Sequence, residues 1–129
     1  MSFHIFSNQD ERRAFCGSDV LEMQACLLPK GTDIGKIVSV DSIKHWKDNS
    51  LYICDENWFY QHYSAIFNGG FYNNGQNGIV DVWGINYYPP EMVESIIESI
   101  KSAKPDGYET LLIWLGQNKN HNGIYILGI

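Results

Sequence analysis

Apolar and polar residues alternate most regularly over residues 20–28, where Leu21, Met23, Ala25 and Leu27 fall on one face and Glu22 and Gln24 on the other. A period of two predicts a strand, which Pro29 and Gly31 end. Residues 3–6 form a shorter candidate strand, and the polar, charged stretch 7–18 reads as a loop. Residues 35–40 suggest a second short strand. Residues 41–50 read as a polar connection with a helical turn over 43–46, and residues 51–54 are too short to assign.

Helical spacing begins after Asp55, whose carboxylate can accept from the free N–H groups of a first turn. Trp58, Phe59, His62, Tyr63, Ile66 and Phe67 recur at that spacing, and Asn68-Gly69-Gly70 supplies the stop. Residues 71–78 are rich in Gly and Asn and read as a turn. Residues 79–87, with Val80, Val82 and Trp83, predict a central strand. Pro89-Pro90 opens a helix whose apolar stripe is Met92, Val93, Ile96, Ile97 and Ile100. Asp106-x-x-Glu109 matches a capping box. After it, Tyr108, Leu111, Leu112 and Leu115 predict a third helix, with a strand over 111–115 as the alternative. Residues 124–127 form a last strand. The sum is an α+β fold over residues 1–129 as one domain, a mixed or antiparallel sheet with about three helices packed mainly on one face.

Composition narrows the function classes. The chain is 44% hydrophobic and 19% charged, a globular balance. Its net charge of −6 opposes binding to nucleic acid or an anionic membrane, both of which need clustered Lys and Arg. Cys16, Cys26 and Cys54 are odd in number and lack Cys-x-x-Cys spacing, so three free thiols in a reducing compartment are expected. The N-terminus lacks a signal-peptide pattern, and the strongest apolar run, 111–115, is far short of a membrane span. A cytoplasmic protein is expected.

No cofactor or metal is implied. His4, His45, His62 and His121 show no zinc-ligand spacing, and the glycines between 69 and 84 lack P-loop or dinucleotide-binding order. Cys54 and His62, with Asp55 or Asp81, are the one imaginable nucleophile set, for a small hydrolase. No nucleophile motif surrounds Cys54, so no enzyme is expected. Glu91, Glu94 and Glu98 share one face of the predicted 90–103 helix. They read either as a solvated face favoured by the helix dipole or as an acidic stripe for a basic partner. Trp46, beside Lys44 and Lys47, and Tyr72, in the Asn/Gly turn, are candidate interface anchors. A ligand-binding or adaptor module using that turn is a further alternative.

The segment DVWGINYYPPEMVESIIESIKSA over 81–103, the helix after it and the closing GIYILGI resemble small immunity proteins of bacterial polymorphic-toxin systems, including contact-dependent growth inhibition. The resemblance covers about the last third of the chain. It implies a cytoplasmic protein that binds a cognate toxin C-terminal domain and blocks its active site or substrate surface. Such toxins are often basic nucleases, which an acidic inhibitor would complement. No contact residue carries over from the family, so the candidate partner-binding residues remain Glu91, Glu94, Glu98, Tyr72 and Trp46.

Overall fold

The computed structural model describes residues 3–17 and 20–128. Among these, seven strands pair in the order β1 (Phe3–His4), β3 (Leu51–Ile53), β2 (Leu21–Ala25), β7 (Ile124–Gly128), β6 (Ile85–Tyr88), β4 (Gly70–Tyr72) and β5 (Asn77–Gly78). Every pairing is antiparallel. The chain's last strand lies in the middle, with Met23 opposite Ile126 and Tyr87 opposite Tyr125. Residues Ile124, Tyr125, Ile126 and Leu127 are buried on both faces, as a central strand requires.

Three helices cover one face: α3 (Glu56–Tyr63), α4 (Pro90–Ala103) and α5 (Tyr108–Asn118). They bring Phe59, Tyr63, Val93, Ile96, Ile100, Leu111, Trp114 and Leu115 against Leu21, Met23, Leu51, Ile53, Tyr88 and Ile126. Ile96 is 3% exposed, so the helical phase read from the apolar stripe is the one the fold uses. The Asp55 carboxylate caps α3 by accepting from the Trp58 N–H at 3.0 Å. Residues 111–115 lie within α5, which excludes the terminal-strand alternative.

The opposite face carries α1 (Gln9–Cys16), α2 (Ile34–Ile37), a 3-10 turn (Val40–Ser42) and the irregular segment down to β3. Cys26, Ile37, Val38, Tyr87, Tyr125 and Leu127 form a second, smaller core there. Glu22 and Gln24 point to this side and are buried, not solvated, so β2 is covered on both faces. The Glu22 carboxylate is 0% exposed. It accepts from the Trp46 N–H at 2.9 Å, the Lys47 N–H at 3.2 Å, Ser50 Oγ at 2.5 Å and Gln24 Nε2 at 2.9 Å. His45 Nδ1 lies 3.4 Å away. A buried carboxylate is tolerable only with such a set of donors.

Other departures from the pattern have local causes. Residues 9–16 are helical although they read as a loop, because Asn8 caps the first turn by accepting from the Glu11 N–H. This helix lacks an apolar stripe; its buried residue is Arg12. The predicted strand at 35–40 is instead α2 and the 3-10 turn, held by Lys36 and Ile37 N–H bonds to the Asp33 carbonyl. No helical turn forms over 43–46, where Trp46 takes φ 67 as its N–H turns to Glu22. Residues 71–78 hold a hairpin, with Gly75 at φ 80 in the turn. The Asp106 capping box does not form: Gly107 takes the N-cap position. Asp106 Oδ2 instead accepts from Trp58 Nε1 at 2.9 Å, tying α3 to the α4–α5 connection.

Two outcomes follow from this packing. Glu22→Ala strands the buried Ser50 hydroxyl and the half-buried N–H groups of Trp46 and Lys47, and should cost about 3 kcal/mol. Urea denaturation checks this; a midpoint no lower than that of the exposed control Glu98→Ala would contradict the role assigned to the carboxylate.

The second concerns alkaline pH. Burial raises Tyr52, Tyr63, Tyr87, Tyr88 and Tyr125 above the ordinary value of 10.0. Above pH 10 the folded state therefore holds more protons than the unfolded state, and stability falls as pH rises. Below pH 10 this contribution is fully present. Urea midpoints should decline from about pH 10 upward, and tyrosinate absorbance should rise with loss of near-ultraviolet circular dichroism. Five tyrosines ionising well before that loss would refute the assignment.

Candidate functional site

Of the predicted 79–87 strand only residues 85–87 are extended, as part of β6 (Ile85–Tyr88); the residues before them form a loop. Asn86, buried in β6, is the cause. Its Oδ1 accepts from the Asp81 N–H at 2.7 Å, while its Nδ2 donates to the Asp81 carbonyl at 2.7 Å and to the Ile126 carbonyl at 3.1 Å. One amide thus pairs with the backbone of Asp81 in both directions and turns the chain away from the sheet. Asp81 Oδ1 then accepts from the Trp83 N–H at 2.9 Å, a turn that short acidic side chains favour. The Gly128 N–H donates to the Gly84 carbonyl at 2.8 Å, and a Cβ at Gly128 would collide with the Val82 carbonyl. The loop is therefore braced from three sides.

This bracing holds out side chains that would otherwise be core. Val80 points inward, but Trp83 is 71% exposed and Ile79 53% exposed. With Tyr72, Asp81 and Val82 they line an open cleft of about 300 Å³ at the β4–β5 end of the sheet. The Tyr72 hydroxyl donates to the Ile79 carbonyl, which fixes the ring against the loop. A rigidly mounted, solvent-exposed indole beside an apolar cleft is suited to burial against another molecule.

The expected partner-binding residues do not converge. Tyr72 belongs to this cleft. Trp46 is not a free anchor: it is half-buried under its own loop, with the Arg12 guanidinium 4.1 Å from its ring and Tyr52 stacked on it at 6.2 Å. It lies over β2 and β3, three and four strand positions from β4, roughly 14–19 Å at ordinary strand spacing. Glu94 and Glu98 line a separate groove of about 220 Å³ with Ile97, Lys101 and Lys119. Glu98 pairs there with Lys101 at 3.8 Å. Glu91 is exposed at the start of α4.

Compared with protein-family models, with curated proteins and with solved structures, the chain matches none of them.

The cysteines overturn one expectation. Cys16 and Cys54 form a disulfide across 4.8 Å between Cα atoms, joining the end of α1 to the end of β3, and only Cys26 is a free, buried thiol. With this bond formed, Cys54 is not a free thiol. His62 lies exposed on α3, 5.7 Å from the Trp58 ring. Odd count and spacing pointed to three thiols because pairing depends on α1, which has no apolar signature. Among the described residues, no cluster of three His, Cys, Asp or Glu side chains is placed to hold a metal. No helix there is long and apolar enough to cross a membrane.

Ile79 and Trp83 were not read as surface residues, and Asp81 was considered only beside Cys54 and His62, because a run containing Val80, Val82 and Trp83 has strand character. The one readable signal was Asp81 followed by Gly84, a turn pair, three residues apart.

The disulfide closes a loop of sequence separation 38, for which loop entropy corresponds to about 3–4 kcal/mol. Cys54→Ser, or reduction, should lower stability by about that amount while the two apolar cores keep the chain folded. Chemical denaturation with and without dithiothreitol checks this. Identical midpoints, or thiol counting that finds three free cysteines under non-reducing conditions, would remove the bond from the account.

Proposed function

We propose that this chain is an immunity-type inhibitor that binds the C-terminal domain of a cognate, basic toxin in the cytoplasm and covers its active or substrate-binding surface. The observation that carries this reading is Trp83, 71% exposed on a loop that backbone and side-chain hydrogen bonds hold rigid. Ordering a flexible loop opposes binding; this loop is already ordered, so an indole presented on it binds at low entropic cost. Trp and Tyr dominate the energetics of protein interfaces when desolvated. The net charge of −6 supports a basic partner and fast association with it. It also disfavours nucleic acid as the direct partner. Trp83 and Tyr72 act as anchors in this reading, and Glu91, Glu94 and Glu98 as a distal acidic surface that steers encounter.

A small-ligand module is the second reading, favoured by the cleft beside the β4–β5 hairpin. Its volume of about 300 Å³ stands at the lower limit for ligand sites. The exposure of Ile79 and Trp83 leaves it too open to bury most of a small molecule. A macromolecular surface closing over the cleft fits this shape better.

In a reducing cytoplasm the Cys16–Cys54 pair would be open much of the time, so the inhibitor must fold on its cores alone.

The test is co-expression with the product of the adjacent upstream gene, reading both complex formation and rescue of growth. Trp83→Ala should leave the melting temperature unchanged but speed dissociation, weakening binding by about 2 kcal/mol or more. Charge reversal by Glu94→Lys with Glu98→Lys should slow association at low salt and weaken its salt dependence. A complex whose dissociation rate ignores Trp83, or a neighbouring product that neither binds nor poisons cells, would refute the reading.

A further inference from the structure

We propose that the Tyr72–Trp83 cleft is a receptor for a cationic side chain, arginine above lysine, presented by the partner; this rests on the reading of the cleft as the partner-facing surface and specifies what it recognises.

The lining is two aromatic residues, three aliphatic residues and one carboxylate, with no cationic residue among them. Aromatic rings attract cations through their quadrupoles. Ile79, 53% exposed, provides apolar surface for the methylene stem that a long cationic side chain carries. The carboxylate is Asp81. Its Oδ1 holds the Trp83 N–H, which orients the group and leaves Oδ2 with acceptor capacity. Among the described residues, no Lys, Arg or His forms an ion pair with Asp81.

The α4–α5 groove supplies the contrast. It also holds carboxylates, Glu94 and Glu98, but Lys101 and Lys119 line it too, and Lys101 reaches Glu98 at 3.8 Å. Its charge is balanced within the fold. The cleft's charge is not, in a chain of net charge −6 that attracts cations generally. A partner's cation therefore gains more in the cleft than in the groove. Arginine is preferred because its planar guanidinium both stacks on aromatic rings and forks onto a carboxylate, whereas an ammonium is a strongly hydrated point charge.

The test uses small probes and the whole chain: Nα-acetyl-L-arginine amide against its neutral isostere, Nα-acetyl-L-citrulline amide, titrated by amide and indole N–H chemical shifts. The arginine probe should saturate shifts at the Trp83 indole and the Asp81 to Gly84 amides with affinity about fivefold or more above citrulline. Asp81→Asn keeps the Oδ1 acceptor for the Trp83 N–H and removes the charge. It should shrink that preference to about twofold or less, while Trp83→Ala should abolish the shifts. Equal affinity of the two probes, an unchanged preference in a folded Asp81→Asn variant, or shifts confined to Glu94 and Glu98 would overturn the proposal. These readouts are independent of the toxin. Arginine selectivity without a neighbouring partner would leave the cation receptor and remove the immunity reading, whereas a tight complex with an arginine-blind cleft would do the reverse.

Discussion

The carboxylate of Glu22 is the group on which one half of this molecule is organised. It sits on β2, between β3 and β7, with no exposure to water. Burying a carboxylate is unfavourable by several kcal/mol unless donors replace its hydration. Here the donors are the backbone of Trp46 and Lys47, the hydroxyl of Ser50 and the amide of Gln24. To present two consecutive N–H groups inward, the chain takes a positive φ of 67 at Trp46. That turn lays the indole flat on Tyr52, where it receives the Arg12 guanidinium from α1. One buried carboxylate thus sets the 44–50 segment, and through Trp46 it contributes to the docking of α1, which the Cys16–Cys54 bond also ties down.

The two sheet faces are consequently held by different physics. The helical face is apolar burial with hydroxyls and indoles tied off at the margins: Tyr63 to the Asp106 carbonyl at 2.6 Å, Tyr88 to Phe67 at 2.8 Å, Trp114 to Asn49 at 2.8 Å. The other face combines a small apolar core with the Glu22 network and the Tyr125 bond to Ile37 at 2.7 Å. A face closed by directional polar bonds tolerates irregular backbone, because the segment's own N–H and C=O groups find partners in that network. This is why residues 26–50 need little regular structure to cover it.

The cleft follows from the reach of the helices. Tyr72 pairs with Asn86, so both lie on the helix-bearing face, but at the end toward β5. There the 79–84 loop takes the place of a helix, turning Val80 and Val82 toward the core and leaving Ile79 and Trp83 outside. Asn86 commits both amide N–H donors and its carbonyl oxygen to hold that loop and the Ile126 carbonyl. A cleft built this way is preformed, which suits recognition of a rigid partner surface over capture of a flexible one.

Periodicity in the sequence was enough for the parts whose burial is local and one-sided. The stripe of Val93, Ile96 and Ile100, the Asp55 cap and the apolar closing strand each carry their own signal, and the α+β class with three helices on one face follows from them. Tyr72 was legible as a candidate because it stands in an Asn/Gly turn. The remaining features depend on pairs far apart in the chain. Whether Glu22 faced water or a nest of donors was decided by residues 46–50. Whether Trp83 was core or surface was decided by Asn86 and the backbone of Gly128. Whether Cys54 was free was decided by a polar helix whose docking runs through Arg12 and Trp46. Alternation states that a residue has a neighbour on one side; only the tertiary structure supplies the partner that makes burial of a polar group, or exposure of an indole, the lower free energy.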